Sequence, residues 1–151
     1  NVSKSKMILN FLKKTKSSVD NNKNNDLIKI IALLIHAAKI DESYSEMEKK
    51  IIFNFVINFS KKTKEEVLDI IKKSEEHEKN SNQILEYTKS VKKMDIKLKT
   101  TVVKTLWKIV LSDNKSGQYE SSLMRRICGL LYLPDKLSGE IKLNILKEKK
   151  L

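Results

Sequence analysis

One match of the chain against itself limits its fold more than any other feature. Displaced by 72 positions, Leu34-Ile35-His36-Ala37-Ala38-Lys39-Ile40-Asp41 lies over Leu106-Trp107-Lys108-Ile109-Val110-Leu111-Ser112-Asp113. Continued without a gap, Glu48 falls on Glu120, Ile51-Ile52 on Leu123-Met124, Phe55 on Ile127, Val56 on Cys128 and Phe59 on Leu131. Each half is an apolar helical segment ending at Asp, a six-residue interval, Glu, and a second apolar segment. An ungapped match of this kind reads as internal duplication of a helical pair. The predicted fold class is therefore all-α, a helical bundle of about seven to eight helices built from two pseudo-symmetric halves.

The rest of the chain agrees with helices. With Gly at 3 and Pro at 1 among 151 residues, a turn-rich β protein is excluded, and no run alternates with a period of two. Residues 3–16 place Met7, Ile8, Phe11 and Leu12 on one face of a basic amphipathic helix, and Ser17 to Asn25 reads as a polar linker. Residues 1–25 thus form an appendage to a helical domain over 26–151. Asp26 is expected to cap a helix over 27–40 that is apolar almost all round, hence central. Ser45 with Glu48 and Thr63 with Glu66 have the spacing of capping boxes. They predict helices from Ser45 to about Phe59 and from Thr63 to about Lys73. Ser81 or Asn82 is expected to cap a weaker helix through Val91, and Asp95 a second central helix to about Leu111. A helix over 118–131, a break at Pro134 and a last helix near 136–149 complete the series.

Charge and composition narrow the function classes. The net charge is +12, yet only Arg125 and Arg126 of 31 basic residues are arginines. Base readout and bidentate phosphate grips favour the planar guanidinium, so the charge is read as a solvated surface and nucleic acid is not an expected partner. No apolar segment reaches the ~18 residues of a membrane span, and a cytoplasmic location is expected. The lone Cys128, within an apolar run, reads as a buried thiol. His36 and His77 have no partners at zinc spacing, and His77 with Glu75, Glu76 and Glu78 reads as a solvated helix end. Nucleophile-elbow, P-loop and dinucleotide signatures are absent, so no catalytic residue is expected.

The two aspartates are the chemical anomaly. A carboxylate at a helix C-terminus meets the negative end of the helix dipole, at a cost of roughly 0.3–1 kcal/mol. An Asx-type turn would offset that locally. Glu48 and Glu120 both sit at the third helical position, where capping explains them. Alternatively, Asp41, Glu48, Asp113 and Glu120 converge about a pseudo-twofold axis and hold a hard cation such as Ca²⁺ or Mg²⁺.

This pattern of an apolar helix, Ala37-Ala38-Lys39-Ile40-Asp41, a short turn, Glu48 and a second apolar helix, repeated after a helical spacer, resembles the TerB-like family associated with tellurite resistance. The likeness covers roughly residues 27–148 and is strongest to stand-alone bacterial members with a short amphipathic N-terminal helix. It implies an all-α fold of two similar halves and a divalent-metal site whose acidic positions fall on Asp41, Glu48, Asp113 and Glu120. It also implies a non-enzymatic stress-response role, as an adaptor for an unknown protein partner with peripheral membrane contact. The family usually carries Gly after the aspartate, where this chain has Glu42 and Asn114. Two alternatives stand beside it: a structural scaffold whose carboxylates only cap helices, and an electrostatic adaptor to membrane or nucleic acid through the basic N-terminal helix.

Overall fold

A computed structural model of the chain describes residues 23–41, 43–81, 83–112 and 118–149, with the backbone alone at 41, 118 and 119. The expected N-terminal helix at 3–16 and most of its linker lie outside these residues. Among them the chain forms α-helices and no strand. The first, α1, covers residues 23–38 and tightens into a 3-10 turn over Lys39–Asp41. There follow α2 (Glu46–Ser60), α3 (Lys64–Asn80), α4 (Ile84–Lys92), α5 (Ile96–Val110), α6 (Gln118–Leu130) and α7 (Asp135–Lys149).

Two helices form the centre for the reason their composition predicts. Six successive residues of α1, from Ile30 to Ile35, are buried, and six residues pass every face of a helix with 3.6 residues per turn. In α5 Val102, Val103, Leu106 and Ile109 are buried as fully. Each such side chain removed from water contributes about 1.5–3 kcal/mol. The other helices are laid round this pair. α5 packs against α2, α4, α6 and α7, while α2 also packs on α3, and α6 on both α4 and α7. Trp107 fixes the α5–α7 seam: its indole N–H donates to Ser138 Oγ at 3.0 Å, and Lys142 Nζ lies 5.0 Å from its ring.

Helix starts follow the capping chemistry. Ser45 Oγ accepts the Glu48 N–H while Glu48 Oε1 accepts the Ser45 N–H at 2.8 Å. Thr63 and Glu66 repeat the box at α3, and Asp95 Oδ1 accepts the Leu98 N–H at 2.9 Å at α5. Three boundaries differ from expectation. α1 already includes residues 23–25, so Asp26 lies within the helix and does not cap it. Polar side chains at its solvated edge cost only a few tenths of a kcal/mol in propensity, which the packing of Leu27 and Ile30 outweighs. α4 begins after Gln83, which makes no side-chain cap bond; Ser81 instead ends α3 and donates its hydroxyl to Glu86 Oε2 at 2.9 Å. The alternative cap, Asn82, lies outside the described residues.

The third difference is α3, which runs seven residues beyond Lys73 to Asn80. The buried positions Val67, Ile71, Ser74 and Glu78 keep helical spacing straight through the charged SEEHEK stretch. Ser74 is buried because its hydroxyl donates to the Ile70 carbonyl at 2.7 Å. Two helices end on non-glycine residues in left-handed backbone, Lys61 (φ 59°) after α2 and Tyr132 (φ 58°) after α6.

Candidate functional site

The helix boundaries around the acidic residues recur at one offset. α1 ends at residue 38 and α5 at Val110, and α2 begins at Glu46 and α6 at Gln118; both pairs are 72 positions apart. Glu48 and Glu120 consequently occupy the same place in the first turns of α2 and α6. Both are buried, at 3% and 8% exposure. Glutamate at this position on a solvent-facing helix would be open to water, as exposed Glu66 is at the start of α3. The backbone of Asp41 closes the 3-10 turn. Its side chain, and the whole of Asp113 with Asn114 and the second turn, lie outside the described residues, as does Glu42. Among the described residues no three His, Cys, Asp or Glu side chains converge closely enough to hold a metal ion.

The first turn nonetheless gathers more acid than its own sequence supplies. The ring of Tyr44 is half-buried between α1 and α2, with Lys49 Nζ 4.9 Å and Lys39 Nζ 6.0 Å from its centroid. Burial first, then the carboxylates of Glu75, Glu48, Glu46 and Glu78, push its hydroxyl far above the ordinary tyrosine range. Glu75 and Glu78 arrive from α3. Among the described residues this hydroxyl, itself shielded from water, has no hydrogen-bond partner.

A cleft of about 650 Å³ opens beside the turn. It is lined by His36, Lys39 and Ile40 from the end of α1, Glu78 and Lys79 from α3, Ile84 from α4, and Ser122, Leu123 and Arg126 from α6. Ile40 immediately precedes Asp41, and Ser122 and Leu123 lie within one turn of Glu120. The end of α1 is thus brought to the first turns of α6. Glu78 anchors the floor with only 5% of its side chain exposed. It accepts from Lys39 Nζ at 2.8 Å, and His36 Nδ1 stands 3.5 Å away. The expected solvated helix end holds at exposed Glu76 and fails at Glu78. Glu78 faces inward because it continues the stripe of Val67, Ile71 and Ser74; a signal confined to apolar residues passes over it.

Next to this carboxylate is a cluster of aromatic and imidazole rings, each imidazole tilted by 58° to the ring of Tyr87. Tyr87 is fully buried and donates its hydroxyl to the Ser81 carbonyl. His36 and His77 flank it with ring centroids at 6.5 and 5.8 Å, and His77 Nε2 lies 3.3 Å from Glu86 Oε1. The hydroxyl of Ser81 and the neighbouring His77 hold the Glu86 carboxyl below its usual range, against a smaller opposing effect of burial. These contacts tie α1, α3 and α4 together and require no ligand to explain them. Cys128 is buried as expected, its thiol pushed up by desolvation. No helix among the described residues is long and apolar enough to cross a membrane.

A protein-family model described as tellurite resistance protein TerB matches residues 27–143. No curated protein and no solved structure matches the chain significantly.

Proposed function

The chain belongs to the tellurite resistance protein TerB family, and from that premise we propose that it is a non-catalytic, stress-associated protein that binds a divalent cation, Ca²⁺ or Mg²⁺, at its duplicated acidic turns. The observation that carries this reading is the matched burial of Glu48 and Glu120, one in each half. Each is a carboxylate held out of water in the first turn of its helix, and the arrangement recurs at the same place 72 positions on. Asp41 and Asp113, each seven residues upstream, would supply the remaining oxygen ligands, which suits the oxygen preference of hard cations. The extra carboxylates that α3 brings towards Tyr44 make the surroundings of the first turn more favourable to a cation.

A second reading has its own support. Glu48 completes a capping box with Ser45, and in a purely structural module that would be its whole role. Thermal melting with and without metal separates the two. Free metal at 100 times its dissociation constant stabilises the folded state by about 2.7 kcal/mol, a shift of several degrees in Tm. The double variant Asp41→Asn/Asp113→Asn is expected to invert its rank. Without metal it melts slightly above the parent, because relieving the helix-end repulsion returns roughly 0.3–1 kcal/mol per site. With metal it melts below. Equal melting of the parent with and without millimolar Ca²⁺ or Mg²⁺ would exclude the cation and leave the capping role.

A further inference from the structure

We propose that the groove between α2 and α5 is a docking site for an acidic amphipathic helix of a partner protein. The groove has a volume of about 680 Å³. Its floor is apolar: Ile51, Phe55 and Phe59 from α2 meet Leu98 from α5, and the rings of Phe55 and Phe59 stack at 5.6 Å with 4° between their planes. Phe59 is 38% exposed, so part of this stack faces solvent. The threonines that line the α5 side add no polar demand. Thr101 Oγ1 donates to the Lys97 carbonyl and Thr105 Oγ1 to the Thr101 carbonyl, which spends their hydroxyls on their own helix.

The rim carries the charge. Lys97, Lys104 and Lys108 are exposed on α5 and recur at helical spacing along one edge. Among the described residues the one carboxylate lining the groove is Asp95, which accepts the Leu98 N–H as the N-cap of α5. Exposed Asn54 and Asn58 form the opposite edge, offering amide donors and acceptors without charge. Between Lys97 and Lys108 the α5 edge spans roughly 16 Å, about three turns of a helix laid alongside. An apolar floor with a one-sided row of lysines matches a helix with apolar residues at i, i+3 or i+4 and i+7, flanked by Asp or Glu.

Other occupants fit less well. Residues 1–22 of this chain have the apolar spacing but carry Lys4, Lys6, Lys13, Lys14 and Lys16, which would meet the lysine rim with like charge. An anionic bilayer would attract the lysines, but a flat surface cannot reach an apolar floor recessed between two helices.

The test uses the full chain and a fluorescein-labelled 14-residue helical peptide with a leucine face and glutamate flanks. Its twin carries lysine in place of every glutamate. The acidic peptide is expected to bind at least tenfold more tightly than the twin, with backbone amide shifts confined to α2 and α5. Lys104→Glu/Lys108→Glu, at exposed positions that leave folding intact, is expected to weaken it at least tenfold. Equal binding of the two peptides, shifts elsewhere, or failure of the acidic peptide to shift the groove at millimolar concentration would overturn the proposal. So would a large gain in affinity on deleting residues 1–22, which would make that segment the occupant. Binding of the parent to vesicles containing phosphatidylserine, lost in the lysine variant and not displaced by the peptide, would assign the face to lipid.

Discussion

Glu78 and Lys39 form an ion pair whose two ends are unequal, and the inequality can be measured. The glutamate side chain is 5% exposed and the lysine side chain 37% exposed. If Glu78 becomes Gln, the ammonium can turn outward to water, and the loss is one net hydrogen bond, about 1 kcal/mol. If Lys39 becomes Met, the carboxylate stays in its pocket with the His36 imidazole 3.5 Å away. Leaving a buried charge uncompensated costs about 3–5 kcal/mol; the cleft beside Glu78 admits water and reduces this to about 2–3 kcal/mol. Once Glu78 is already Gln, removing Lys39 should cost almost nothing further. The double-mutant cycle is then expected to give a coupling of about 2–3 kcal/mol, well beyond the few tenths found between independent sites. Circular dichroism at 222 nm during thermal and urea unfolding measures all four proteins. At about 4 °C per kcal/mol for a domain of this size, Lys39→Met should lower Tm by about 8–12 °C and Glu78→Gln by about 4 °C. An additive cycle, or a glutamine variant less stable than the methionine variant, would show that Glu78 is solvated and the reasoning wrong.

Two further outcomes follow from buried polar groups. Tyr44→Phe removes a shielded hydroxyl without a hydrogen-bond partner among the described residues, so at neutral pH it should leave stability unchanged or raise it by up to about 1 kcal/mol. Because the folded state holds that hydroxyl above its ordinary value, its contribution is complete below pH 10 and is lost as the pH rises further. Urea midpoints at pH 8 and 11 should therefore fall less in the variant than in the parent, and an equal fall would exclude Tyr44 as the cause. Cys128, fully buried with a raised thiol, should react with a disulfide reagent only at the rate of unfolding; labelling within minutes in native buffer would contradict its placement.

The elements best legible in the sequence are those set by local chemistry. Ser45 with Glu48, Thr63 with Glu66, and Asp95 announce their helices because a cap depends on residues three apart, all visible in the chain. The near-continuous apolar runs of α1 and α5 announce central positions in the same way. What stayed hidden depended on partners distant in sequence. Glu78 reads as solvent-facing until Lys39 and His36 are placed beside it, and Tyr44 gives no sign that carboxylates from α3 surround it. The start of α1 was hidden because Asn and Lys signal a loop only when nothing buries the next turn. For the candidate site, the glutamates were legible as caps, while their burial was not, since it is set by neighbouring helices that the local spacing does not name.

The burial of Ile30 to Ile35 in α1 has a consequence for how the protein is made. A segment covered on every face needs neighbours on several sides, and α6, whose Ser122, Leu123 and Arg126 share a cleft with the end of α1, is synthesised only after α5. At about 5–20 residues per second, the roughly 60 residues separating the end of α1 from α5 take about 3–12 s to translate. For that interval the nascent chain holds its most apolar segment with only part of its final cover. The ribosome-bound first half is thus a natural client for a holdase chaperone, and a chain broken between α3 and α4 would leave its first fragment in the same state permanently.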